Sequence, residues 1–405
     1  MRVIIRISFL LALLFILLII HSFYQFAVGP SPEHDVTHFG YVFYATSDIY
    51  ACSALVNVHR LRHLFHTKYP VYLLASSAVS DTYKERFRDD YNVTVIEHEP
   101  PALHAGSSPY YRDVLLKLVS FNLLEWAAQL RRILVLDSDQ IILKSLDDVF
   151  TCVPSNVEVA AAHAYWLPGE PSATTAMMMV SLSVELWARM NTSLASIAED
   201  MYDMDLINKL FKGELALLPG NYLALNSHWE NNEVPAWAQY QPLLPGRLTK
   251  NETTSLPVED VPHIAPEQIR RDDTQNESQE EPTSRSTATS APNALLAEGG
   301  SGAPTMYDPT VIDPLTLIFD NDVYILHFTA LGKPWTYTIE GANKLRPQAH
   351  PLFTQQFLLW RLAAKQICPV VGMENAEGHT VGGKKGWSGL TDGNVEISQS
   401  FLDEL

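Results

Sequence analysis

The apolar run Ile133-Leu134-Val135-Leu136 leads straight into Asp137-Ser138-Asp139. In extended chain residues i and i+2 point to the same side, so the two carboxylates can converge on one point. The C-terminal edge of a parallel sheet is where open α/β folds bind their ligands. Two carboxylates there suit a hard divalent cation, Mg²⁺ or Mn²⁺, with further oxygen ligands supplied by a diphosphate. Two other readings stand beside this one. The pair could be an Asx-type turn that closes the strand. It could also belong to an aspartyl-phosphate phosphatase, which places a nucleophilic carboxylate after an apolar strand. That class is poorly served, because Ile141 stands where a Thr or Ser is wanted and no Gly-Asp acidic cluster follows.

The elements that must position these residues are legible on both sides. Residues 39–46 read as a buried strand, Tyr50–His66 as a helix, Val71–Ala75 as a strand, Asp81–Asp90 as a helix and Val93–Ile96 as a short strand. Asp113–Gln129 has Leu115, Leu118, Val119, Leu123 and Trp126 at helical spacing, and Ile133–Leu136 is the next strand. Strands without polar alternation, separated by helices, argue a parallel sheet covered on both faces, the start of a doubly wound α/β fold. Short strands near 157–163 and 176–182 and helices near 184–198 and 203–212 follow. Order resumes at Asp322–Phe328 and ends with a helix at Leu352–Lys365. Met177–Met179 read as plain core, and Tyr165, Trp166 and Trp229 as packing aromatics rather than sugar platforms.

The 405 residues are 47% hydrophobic and 18% charged, which allows a sizeable core and excludes global disorder. A formal charge of −18 argues against nucleic acid as a partner. Much of that charge is local. Residues 251–310 hold eleven Asp/Glu against three Lys/Arg, and 371–405 hold six against two, for −8 and −4. The stretch 247–310, rich in Ser, Thr, Pro, Glu, Gln and Asn, cannot bury enough surface to offset its ordering entropy and is expected to be a disordered acidic insertion. Three cysteines exclude a zinc ribbon, a CxxC redox site and a disulfide framework. Cys52 and Cys152 are a candidate pair in an oxidising compartment.

Residues 7–28 form an apolar segment of about 33 Å as a helix, enough to span a hydrocarbon core. Arg2 and Arg6 precede it, which puts residues 1–6 in the cytoplasm and the rest of the chain in the lumen. A cleaved signal peptide ending near Ala27-Val28-Gly29 is the competing reading. Four Asn-x-Ser/Thr sequons, at Asn92, Asn191, Asn251 and Asn276, agree with a luminal chain. The C-terminal Leu402-Asp403-Glu404-Leu405 is similar to an ER retrieval signal without its basic residue.

In the segments around the Asp pair the chain resembles glycosyltransferase family 8, the glycogenin-like enzymes. Its architecture is most similar to that of the fungal Golgi members, which look like N-acetylglucosaminyltransferases. The matching segments are Val42–Tyr50, Leu115–Leu118, Leu134–Asp139 with Leu146–Phe150, Asp200–Asn208 and His327–Trp335. The resemblance implies a GT-A type fold with a mostly parallel, Rossmann-like sheet and helices on both faces, in two parts, 38–246 and 311–370, followed by a flexible tail at 371–405. It implies that Tyr44, Thr46, Ser47 and Tyr50 touch the uridine and that Lys117 reaches the donor. Ser138 and Lys333 would bind the donor as well, Lys333 at its diphosphate. Asp137, Asp139 and His327 would hold Mn²⁺ or Mg²⁺. Asp200 and Asp203 would lie near the sugar, although acids opening a helix also suit its dipole.

The chain departs from the family where Thr174-Thr175-Ala176 replaces Asn-Ser-Gly and Met204 replaces a Gln, so two amides expected near the sugar are missing. The expected activity is transfer of N-acetylglucosamine or glucose from a UDP-sugar to a glycan or glycoprotein acceptor, with retention of configuration. Asp203 is the candidate nucleophile or acceptor orienter. The expected location is the Golgi membrane (or the ER) as a single-pass type II protein. The rival is a catalytically silent fold kept as a glycan-binding or scaffold subunit.

Overall fold

Along β1 (Phe39–Ala45) successive side chains face opposite sides of the sheet. Tyr41, Phe43 and Ala45 enter one apolar core and Val42 the other. The same division runs through β4 (Arg132–Leu136), with Leu134 and Leu136 on one side and Ile133 and Val135 on the other. Strands buried on both faces need helices on both, which is why they lack polar alternation. This computed structural model describes residues 36–108, 111, 113–238 and 313–369. The expected tail 1–6, anchor 7–28, insertion 247–310 and tail 371–405, with Asn251 and Asn276, lie outside the described residues. No helix among the described residues is long and apolar enough to cross a membrane.

The remaining strands of the main sheet are β2 (Val71–Ala75), β3 (Val93–Glu97), β6 (Val159–His163), β7 (Ala173–Ser181) and β8 (Ala216–Leu218). Their order is β3-β2-β1-β4-β7-β6-β8. One face is covered by α1 (Asp48–His59) and α2 (Asp81–Tyr91), with the C-terminal helix Pro351–Ile367 packed against α1. The other carries the segment Val114–Glu125 and the helices α3 (Val184–Ala195) and α4 (Asp203–Leu210). The expected α/β class with a mostly parallel sheet is present. The exception is β7, antiparallel to both β4 and β6. The connection 164–172 is too short for a parallel crossover, which takes about a dozen residues or more. Reversal brings the first residues of β7, Thr174–Ala176, beside the C-terminal end of β4, where Asp137 N–H donates to the Ala176 carbonyl at 3.0 Å.

A second sheet starts at the Asp pair. Strand β5 (Gln140–Ile142) runs antiparallel to β10 (Ile325–His327), which is parallel to β9 (Ala224–Leu225). Helix α1 holds β5 in place. The buried Asn57 amide donates to the Gln140 carbonyl at 2.7 Å and accepts from Ile142 N–H at 2.8 Å, and Arg60 Nε donates to the Ile142 carbonyl at 2.6 Å. Two expected helices differ in form. The one read as Tyr50–His66 starts at Asp48 and ends in a π turn at Arg60–Leu64, closed by Phe65 N–H on the Arg60 carbonyl. The one read as Asp113–Gln129 is a 3₁₀ segment; Leu115 to Phe121 are all buried, so no polar face fixes an α-helical stripe.

The candidate pairing of Cys52 with Cys152 is corrected. Cys52, in α1, is bonded to Cys368 at the end of the C-terminal helix, with Cα atoms 5.4 Å apart. The two helices pack closely enough for Trp360 Nε1 to donate to Ser53 Oγ at 2.8 Å. Cys152 is an exposed free thiol at the end of the short helix Val149–Cys152. Of the three cysteines in the chain, one should therefore react with a maleimide in denaturant without reductant, and all three after reduction. Cys368→Ser should lower unfolding stability by about 2–5 kcal/mol in a denaturant titration.

Candidate functional site

Asp137 and Asp139 lie between the end of β4 and the start of β5, at the edge where the main and second sheets meet. Their partners come from distant parts of the chain. Lys117, from the 3₁₀ segment, is buried and places its ammonium 2.5 Å from Asp137 Oδ1 and 2.8 Å from Asp203 Oδ2. Asp203 opens α4, and Thr175 of β7 donates to the same oxygen at 2.5 Å. The Tyr44 hydroxyl, from β1, donates to Asp137 Oδ1 at 3.1 Å, with Lys117 Nζ 5.3 Å from the centre of its ring.

Around Asp139 the partners are an ammonium and an imidazole. Lys333 Nζ is 2.6 Å from Asp139 Oδ2 and donates to the Phe328 carbonyl at 2.9 Å. His327 Nδ1 is 3.7 Å from Asp139 Oδ1. That nitrogen is buried and has no hydrogen-bond partner among the described residues. Asn226, wholly buried after β9, shapes the turn that carries Lys333. Its side-chain oxygen accepts from Thr329 and Ala330 N–H, both at 2.8 Å, and its own N–H donates to the His327 carbonyl at 3.0 Å.

The electrostatics follow from burial and from these partners. Burial pushes the Asp137 carboxyl up to about 6; Lys117 opposes the rise, and Asp139 and Asp203 add to it. Burial acts on Asp139 in the same direction, but Lys333 and His327 outweigh it and hold that carboxyl well below the usual range. Burial alone would lower Lys117, yet Asp137 and Asp203 keep it above its ordinary value. Burial brings His327 down to about 4, against the pull of Asp139, so the imidazole is neutral at pH 7 and has a lone pair to offer. Three carboxylates then face two ammonium groups and a neutral imidazole. Asp137, Asp139 and His327 each present one ligand atom, all within 4.8 Å of one another. The mixed oxygen and nitrogen donor set, with an orphaned imidazole nitrogen inside it, fits a divalent cation such as Mn²⁺.

The other expected site residues divide. Thr46, Ser47 and Tyr50 are half-buried where β1 passes into α1, and the Tyr50 ring lies edge-on to Trp335 at 5.3 Å. Ser138 is turned inward, its hydroxyl donating to the Tyr44 carbonyl, so it ties β4 to β1. Asp200 is exposed in a left-handed conformation (φ 54°), and its contacts run to Ser107 and Tyr202. Trp229 and Met177–Met179 are fully buried core, and Tyr165 is half-buried, bonded to His228 at 2.9 Å. The sequence reading missed Asn57, Asn226 and the bonding role of Thr175. A polar amide inside an apolar stretch, as at Asn57, is the one signal that was available.

No model of a protein family matches the chain. The chain is 28% identical over 222 residues to "Glucose N-acetyltransferase 1" of Gibberella zeae, an alignment covering 50% of this chain and 47% of that protein. To the Aspergillus fumigatus protein of the same name it is 24% identical over 234 residues, or 51% of this chain and 59% of the other. The matches thus span about half the length of these curated relatives. Among solved structures it is similar to galactosyltransferase LgtC in complex with donor and acceptor sugar analogs, at 14% identity and a TM-score of 0.45, covering 82% of this chain and 96% of that one. That likeness is loose, and the fold rests on the strand order itself.

Lys117 is the counter-charge for two buried carboxylates. Lys117→Met should destabilise the protein by about 3–5 kcal/mol, because both would be left without it. Adding Asp203→Asn should restore part of the loss, a coupling that a double-mutant cycle in urea measures.

Proposed function

We propose that the chain is a metal-dependent glycosyltransferase of the GT-A type that takes a UDP-sugar as donor. The observation that carries this reading is the convergence of Asp137, Asp139 and His327 at one sheet edge, with Lys333 beside them. Asp137 and Asp139 would hold the cation through carboxylate oxygens and His327 through its ring nitrogen. When bound, the cation supplies positive charge opposite the diphosphate that departs from the sugar. Lys333 offers a second positive charge at the same place, fixed by the turn that Asn226 shapes. Asp203, held by Lys117 and Thr175, would act on the sugar side as nucleophile or as orienter of the acceptor hydroxyl. Tyr44 and Tyr50 would pack near the base.

The transferred sugar would be N-acetylglucosamine or glucose, and the acceptor a glycan or glycoprotein. The relatives' names support a glucose-type sugar with an N-acetyl group. We place the enzyme in the Golgi or ER lumen behind an N-terminal anchor, and the transfer would retain configuration. The disulfide between Cys52 and Cys368 supports an oxidising compartment.

The test is a panel of UDP-sugars with Mn²⁺, following released UDP, with acetyl-CoA plus glucose as a parallel arm. One UDP-sugar should be hydrolysed slowly without acceptor. Asp139→Asn should lower that rate about 100-fold or more and abolish thermal stabilisation by Mn²⁺ plus UDP. Release of CoA in the parallel arm would overturn the donor class. No UDP from any donor and no stabilisation would favour the silent glycan-binding fold, for which Thr174 and Met204 are the motivating departures.

A further inference from the structure

Two Asn-x-Ser/Thr tripeptides fall among the described residues, and their settings differ. Asn191 lies inside α3, where the Ser193 hydroxyl of its sequon donates to the Arg189 carbonyl at 3.0 Å. Asn92 ends α2 in the left-handed conformation (φ 50°, ψ 49°) and is exposed. Its side-chain amide has no hydrogen bond among the described residues. Thr94, two residues on, is exposed on β3, one of the two outer strands of the seven-stranded sheet. Both side chains of this sequon therefore face solvent, Asn92 at the turn and Thr94 on the strand.

The compartment has its own observation. A disulfide joining residues 316 apart persists in an oxidising environment, and that is where such tripeptides are glycosylated. Position matters as well. Strand β3 is parallel to β2, β2 to β1 and β1 to β4, so Asn92, just before β3, lies at the end of the sheet opposite Asp137 and Asp139. A bulky group there would not meet the site.

We propose that Asn92 carries an N-linked oligosaccharide. In its attachment the Asn92 side-chain nitrogen forms a bond to the anomeric carbon of a lipid-diphosphate-linked oligosaccharide. The bond from that carbon to the diphosphate breaks, the electron pair leaves with the lipid diphosphate, and the amide gives up one proton. The glycan also has a structural use. An outer strand presents unpaired backbone groups that other chains can pair with, and Glu97 is the one charged residue on β3. A hydrated oligosaccharide at the head of the strand obstructs that approach.

The full chain, made through the secretory pathway of a yeast host, should be treated with an N-glycan amidase in ¹⁸O-water and its peptides read by mass spectrometry. Asn92 should be found as ¹⁸O-labelled aspartate. Asn92→Gly, which suits the left-handed backbone, and Thr94→Val, which suits an outer strand, should each yield a protein with one glycan fewer and an unchanged thermal midpoint. An unmodified Asn92 in protein whose Cys52–Cys368 bond has formed would overturn the assignment. So would recovery of Cys52 and Cys368 as free thiols, because the compartment on which the assignment rests would be gone.

Discussion

The ammonium of Lys117 decides how the two halves of the site edge come together. It lies between Asp137, at the end of β4, and Asp203, at the start of α4, and it is almost wholly buried. Without it those carboxylates would repel each other in a medium that screens little. Tyr44 and Thr175 complete the arrangement from β1 and β7, so four elements are fixed relative to one another through one cation. A buried ion cluster of this kind is a weak source of net stability compared with apolar packing. Its presence here is better explained by the work of holding two acids at a sheet edge than by the needs of the core.

The second sheet rests on neutral amides. Strands β5, β9 and β10 are two or three residues long, too short to satisfy their own ends. Asn57 supplies the missing donor and acceptor for β5, and Asn226 does the same for the turn after β10. An amide can donate and accept at once, which suits irregular backbone deep inside the protein. These two residues set the register in which His327 faces Gln140, and thereby place the imidazole beside Asp139.

Much of the fold was legible because β1, β2 and β4 are continuous apolar runs bounded by polar turns. The Asp pair was legible because it ends such a run. The direction of β7 was not, since a strand buried on both faces has the same pattern read either way. The partner of Cys52 was hidden for a related reason: the contact of α1 with the C-terminal helix is tertiary, and nothing local to Cys52 announces it. Leu115 to Phe121 are all buried, so the α-helical spacing of Leu115, Leu118 and Val119 did not reveal the 3₁₀ winding of that segment. Ser138 shows the limit at the site itself. The resemblance implied a donor contact there, whereas its hydroxyl donates to the Tyr44 carbonyl and so faces β1.

The pairing of β10 with β5 joins residues 325–327 to residues 140–142. A ribosome therefore releases the two carboxylates long before the histidine that completes their trio. Contacts so distant in sequence are slow to close, because the intervening chain must be gathered first. The main sheet needs nothing beyond β8, which ends at Leu218. The face that α1 covers is nevertheless closed by the C-terminal helix Pro351–Ile367, so the scaffold is completed only after His327 and Lys333 have been made. The two carboxylates and the imidazole can therefore meet only when nearly the whole described chain has been made.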